Sequence, residues 1–171
     1  MIIDTDKYEI PTWTEAETLR YLQHLAINSQ FIIELGCYFG ASARAMLRAN
    51  PNLHLWSVDH FAVFGSRQIS EMFLFRWIKS GNCELITGDS RTAALMLEHM
   101  KGKIDAAFVD DGHETHQVLA DIQNMLPLIK SGGLLVGHDF DIPHNDVALG
   151  VIQSGISYDI VVPRVWRHIK P

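Results

Sequence analysis

The chain has 171 residues, 47% of them hydrophobic and 20% charged, with a formal net charge of -6. That length makes one ordinary domain with apolar residues enough for a core, taken as 1–171, and the acidic balance argues against nucleic acid or anionic membranes as partners. Cys37 and Cys83 form no paired motif, the acidic start MIIDTDKYEI is no signal peptide, and no apolar run nears a bilayer span, so the expected compartment is cytoplasmic.

In chain order the predicted elements alternate. PTWTEAETLRYLQHLAINS reads as an amphipathic helix with Thr12 or Thr14 as its cap. FIIEL (31–35) is a short apolar strand, followed by the loop GCYFG and the helical run ASARAMLRAN. LHLWSVD is a second strand, followed by a helix over 66–79. CELITGD and TAALMLEHM make a third strand and helix, and IDAAFVDD and THQVLADIQNMLPLI a fourth pair. GGLLVGHDF is a fifth strand, with a short helix over 146–153 behind it. Such alternation builds a parallel sheet with helices on both faces. At the end, SYDIVV and RVWRHIK are separated by little more than Pro163. A parallel crossover needs about a dozen residues, so these two runs pair antiparallel. The expected fold is α/β and doubly wound: a mostly parallel, seven-stranded sheet with an antiparallel C-terminal strand.

In an open parallel sheet, ligands bind beyond the carboxyl ends of the strands, where strand order reverses. The residues at those ends are Glu34 to Gly40, Asp59 and His60, Gly88 to Ser90, Asp110 to His113, and His138 to Asp141. Each group contains an acid. Gly36 and Gly40 let the backbone bend closely around a ligand, and their GxxxG spacing, unlike GxGxxG, argues against NAD. Asp59 follows Gly40 by about 20 residues, the distance at which an acid can accept ribose hydroxyls. Asp110 and Asp139 come from adjacent strand ends into one crevice, where paired carboxylates invite a cation.

The segments ELGCYFG (34–40), FVDDGH (108–113) and PLIKSGGLLVGHD (127–139), with Asp59, Asp121 and the Gly88, Asp89, Ser90 turn, resemble the class I S-adenosylmethionine (SAM)-dependent methyltransferases. They are most similar to the branch of family-24 type that contains the macrolide-sugar O-methyltransferases and cephalosporin-biosynthesis methyltransferase-like proteins. The resemblance runs from about Phe31 to the C-terminus and implies a Rossmann-like methyltransferase. It implies that Glu34, Gly36, Tyr38, Gly40, Ser42, Asp59, His60, Asp89, Ser90 and Asp110 hold SAM, with Asp89 and Ser90 on the adenine. The competing account of Asp89 and Ser90 is a helix cap.

The resemblance also implies metal ligands at Asp110, His138 and Asp139, where His138 replaces the acid usual in the macrolide enzymes. A divalent cation, Mg²⁺ or Mn²⁺, is therefore a second cofactor to test, with a metal-free site as the alternative. His113 matches the family's general base. At a helix start its ring is expected to be neutral, with His116, His138 and His144 as substitutes. The expected reaction is methylation of a hydroxyl oxygen on a small-molecule acceptor, a sugar or phenolic, lined by Phe61, Phe64 and Trp77. A homo-oligomer stays open. So do a SAM-binding module without turnover and a different metal-assisted enzyme on the same scaffold.

Overall fold

Apolar residues fill both faces of the central strands, so each strand is covered on both sides. The computed structural model describes residues 9–141 and 146–171. In it, β1 (Phe31–Leu35), β2 (His54–Asp59), β3 (Cys83–Thr87), β4 (Ile104–Val109) and β5 (Ile129–Gly137) run parallel. β6 (Asp159–Val162) and β7 (Val165–Ile169) form a hairpin whose second strand pairs antiparallel with β5. The sheet order is β3-β2-β1-β4-β5-β7-β6. It is the seven-stranded, doubly wound arrangement expected from the sequence.

Alternate side chains divide the core in two, as a period of two dictates. Ile32, Leu55, Phe108 and Val136 pack under α1 (Ala16–Ile27), α2 (Ala41–Ala49) and α3 (Ser66–Ser80). Ile33, Val58, Val109 and Leu135 pack under α4 (Ser90–Met96), α5 (Thr115–Met125) and α6 (Asp146–Gln153). No helix of the described residues is long and apolar enough to cross a membrane.

Three local expectations change. Neither Thr12 nor Thr14 caps α1: the Thr12 hydroxyl accepts from the Thr14 amide, and the N-cap residue is Glu15. α5 ends at Met125 rather than running through Pro127, whose ring restricts the residue before it and cannot donate to the helix. The freed residues let β5 start at Ile129. β1 lies between β2 and β4, so the order reverses at β1 and β4, and a crevice opens beyond their carboxyl ends.

Candidate active site

That crevice encloses about 580 Å³, within the range of small-ligand pockets. Its wall carries Gly36, Tyr38, Ser42, Asp59, His60, Asp110, His113, His138 and Asp139. The strand ends thus bring most of the sequence-derived candidates together. Two further elements close it: Thr12 to Thr14 before α1, and Ala62 and Val63 before α3.

The loop after β1 is shaped by Asp59. Asp59 Oδ2 accepts from the Cys37 and Tyr38 amides at 2.9 and 2.7 Å, and Oδ1 from the Phe61 amide at 2.6 Å. Gly36 has φ +92°, and a Cβ there would stand 2.1 Å from the Asp110 carbonyl oxygen. Only glycine lets β1 and β4 approach so closely at this loop. Four non-glycine residues among those described have positive φ: Tyr38, Phe61, Asp139 and Arg164. All four stand on or beside the rim of this crevice. Strained backbone gathers where a site holds it in place.

Glu34, Gly40, Asp89 and Ser90 are not on the cavity wall. Glu34 is fully buried beneath the loop, where its Oε2 accepts from the Ser57 hydroxyl. Burial raises its pKa to about 7. Gly40 is the left-handed residue that starts α2 over the Leu74 side chain. Asp89 caps α4, with Oδ1 accepting from the amide and hydroxyl of Thr92 at 2.8 Å each. Ser90 is buried and accepts from Asn124 Nδ2 at 3.0 Å. Of the expected apolar lining, Trp77 is core beneath α3 and Phe61 packs against that core, while Phe64 is fully exposed. Trp13 and Val63 stand on the wall instead.

At the ends of β4 and β5 the charges interlock. His138 is buried, with Nε2 2.8 Å from Glu15 Oε2 and Nδ1 3.3 Å from both Asp110 Oδ1 and Asp139 Oδ1. Both ring nitrogens face carboxylates, a setting in which both must donate, as only imidazolium does. Burial alone would lower the pKa of His138, but the bonds to Asp110 and Asp139 carry it up to about 10. Arg164, in the β6–β7 turn, bridges Glu15 Oε1 at 2.8 Å and Asp139 Oδ1. His113 Nε2 donates to Asp139 Oδ2 at 2.6 Å.

His113 departs from expectation. It lies two residues before α5, whose N-cap is Glu114, so the helix end does not hold its ring neutral. Its bond to Asp139 instead raises its pKa, while Asp139 is held well below the usual carboxylate range by His113 and then His138. His116 pairs with Glu114 and is not part of the cavity wall, and His144 lies outside the described residues.

The donor set does not suit a divalent cation at Asp110, His138 and Asp139. His138 offers no lone pair, and Asp139 has one oxygen on His113 and the other on Arg164. Among the described residues, the group spaced to hold a cation is Asp110, His113 and Asp139, with atoms within 4.8 Å of one another. There too the His113 nitrogen and the Asp139 oxygen are bonded to each other.

Glu15 and Arg164 are the functional candidates that the sequence reading missed. They lie 123 and 25 residues from their partners His138 and Asp139. The one available signal was topological: a turn entering an antiparallel β7 must sit at the carboxyl end of β5.

Comparison with known proteins follows the same lines. A search of the curated proteins finds no match. Among solved structures, the cofactor-bound Rv0187 from MTB superposes with a TM-score of 0.72 at 17% identity, over 97% of this chain and 86% of that one. The O-methyltransferase from Bacillus cereus in complex with SAH gives 0.69 at 14%, over 92% and 82%. The O-methyltransferase TomG from Streptomyces achromogenes, involved in tomaymycin synthesis and bound to SAM, gives 0.67 at 18%, over 92% and 82%. The family described as a methyltransferase domain matches residues 33–140, which is more than half the chain. With the glycine loop, the Asp59 strand end and the crevice between β1 and β4 in place, the chain belongs to the SAM-dependent methyltransferases of family-24 type.

Proposed function

We propose that this enzyme transfers the methyl group of SAM to a hydroxyl oxygen of a small molecule. The observation that carries the reading is the crevice itself, where the glycine loop clamped by Asp59 faces His113 across one cavity. The residues fit SAM: Gly36 lets the loop close against the end of β4 on one side of the crevice, and the volume suits a nucleoside-sized ligand beside an acceptor. Gly36, Tyr38, Ser42, Asp59 and His60 would hold it, with Glu34 and Gly40 supporting the loop from beneath. Bound there, SAM supplies an activated methyl on a sulfonium. Asp89 and Ser90 lie off the cavity wall, Asp89 as the cap of α4, and are given no part in holding SAM.

The chain's remaining work is to orient the acceptor and remove its proton. Asp139 accepts the hydrogen bond of His113 Nε2–H, which leaves Nδ1 of the neutral ring to accept the hydroxyl proton as the oxygen bonds the methyl carbon and the carbon–sulfur bond of the sulfonium would break. Positioning the two reactants in one cavity supplies a large share of the rate. No step passes through a metal. Trp13, Tyr38, Phe39 and Val63 on the wall favour a phenolic over a sugar as the acceptor. Turnover of methyl-labelled SAM against a panel of phenols and sugars tests this. Label in phenols is the expected result, and no transfer to any hydroxyl despite SAM binding would leave a binding module.

A further inference from the structure

The cluster at the β4 and β5 ends contains three carboxylates, Glu15, Asp110 and Asp139, bridged by the basic side chains His138 and Arg164, with the more exposed His113 on the second Asp139 oxygen. Carboxylates brought together out of water repel unless a positive charge joins them. Here that charge is already in the chain. His138 is only 4% exposed and points both nitrogens at acids, while Arg164 forks between Glu15 and Asp139. A guanidinium presents its donors in a fixed fork that suits this bridging.

We propose that His138 and Arg164 are the fixed internal cations of this site: they do for Asp110 and Asp139 what a divalent ion would, and through Glu15 they tie the Thr12–Thr14 wall to the sheet. The consequence is a cleft that binds no divalent cation. The proposal rests on the methyl-transfer reading only for what the cleft receives; the charge arrangement stands on the geometry alone. His138 and Arg164 act as positioning residues, since they hold the acids and the wall rather than the reacting atoms.

The experiment is a set of melting curves and SAM titrations on the full chain, in EDTA and over a series of Mn²⁺ and Mg²⁺ concentrations. Wild type should melt at one temperature throughout and bind SAM with the same affinity in EDTA as in metal. His138→Asp exchanges the internal cation for a third ligand, so its melting temperature should rise with Mn²⁺ concentration. A merely structural histidine would not confer that response. If His138→Asp does not fold, His138→Asn removes the charge while keeping a short oxygen donor, and the same rise is expected of it. Concentration-dependent stabilisation of wild type by either metal, abolished by Asp139→Asn, would overturn the proposal while leaving SAM binding intact. Variants that fold and stay as indifferent to metal as wild type would also overturn it. Failure of wild type to bind SAM under every condition would instead remove the methyl-transfer reading, and the metal series would still judge the internal cations.

Discussion

Replacing Asp59 by alanine is the most informative single perturbation of the loop. Its carboxylate accepts three backbone N–H bonds of 2.6 to 2.9 Å, from Cys37, Tyr38 and Phe61. Hydrogen bonds to a charged group contribute about 1.5–3 kcal/mol each, but these donors lie beside an open cleft where water recovers part of the loss. Two of the three donors, Tyr38 and Phe61, sit at φ +49° and +52°, a conformation that costs roughly 1–2 kcal/mol per residue and relaxes once the clamp is gone. The balance is about 3 kcal/mol in favour of the clamped loop, so Asp59→Ala should weaken SAM binding on the order of 100-fold. The same balance is lost from the folded state, so the melting temperature should fall by about 6–12 °C. Isothermal calorimetry with SAM, alongside a thermal melt, reads both. A folded mutant that binds SAM as wild type does would refute the reasoning and confine Asp59 to shaping the loop without bearing on SAM.

His113→Ala should lower turnover by roughly 10²–10⁴-fold while leaving SAM affinity nearly intact, since the ring acts on the acceptor's proton. Because Asp139 raises the His113 pKa, the neutral base appears only above the ordinary imidazole range, so the rate should climb with pH through that raised value. Asp139→Asn removes the carboxylate that favours the charged ring, and the rising limb of the pH–rate profile should move to lower pH. A limb that stays in place places the base elsewhere. Glu34 gives a stability test: its folded pKa of about 7 stands above its ordinary 4.5, so the folded state holds a proton that the unfolded chain releases. Stability from this group is present at acid pH and is lost as pH rises from 4.5 through about 7. Glu34→Gln should flatten that slope and melt above wild type near about pH 8; a slope identical to wild type would return the titration to another group.

Much of the fold was legible because the signals were local. Five apolar strands each followed by a helical run leave few topologies, and the short gap at Pro163 settles that the last two strands form a hairpin. The crevice followed from the same rule. What the sequence concealed was which strand-end residues face it. Glu34 and Asp59 both end strands as acids, yet one is buried against Ser57 and the other clamps the loop. The two share a face of the sheet, since Glu34 is in register with Ser57 and Asp59 follows Ser57 by two residues; the difference is depth, with Glu34 inside its strand and Asp59 at the last position of its own, where the loop amides reach it. The charge cluster was hidden for another reason. Glu15 and Arg164 reach His138 and Asp139 only because α1 and the β6–β7 turn converge on the end of β5. The ring of His113 was expected to be neutral from its place near a helix, and the nearer carboxylate of Asp139 outweighs that placement.

The measurement that bears most directly on the whole account is calorimetric titration of the wild-type chain with SAM and with S-adenosylhomocysteine, in EDTA, with NAD as the control. Saturable binding of both sulfur nucleosides at one site per chain is expected, with mutual competition between them and no heat from NAD. Saturable NAD binding without any response to SAM or S-adenosylhomocysteine would contradict it.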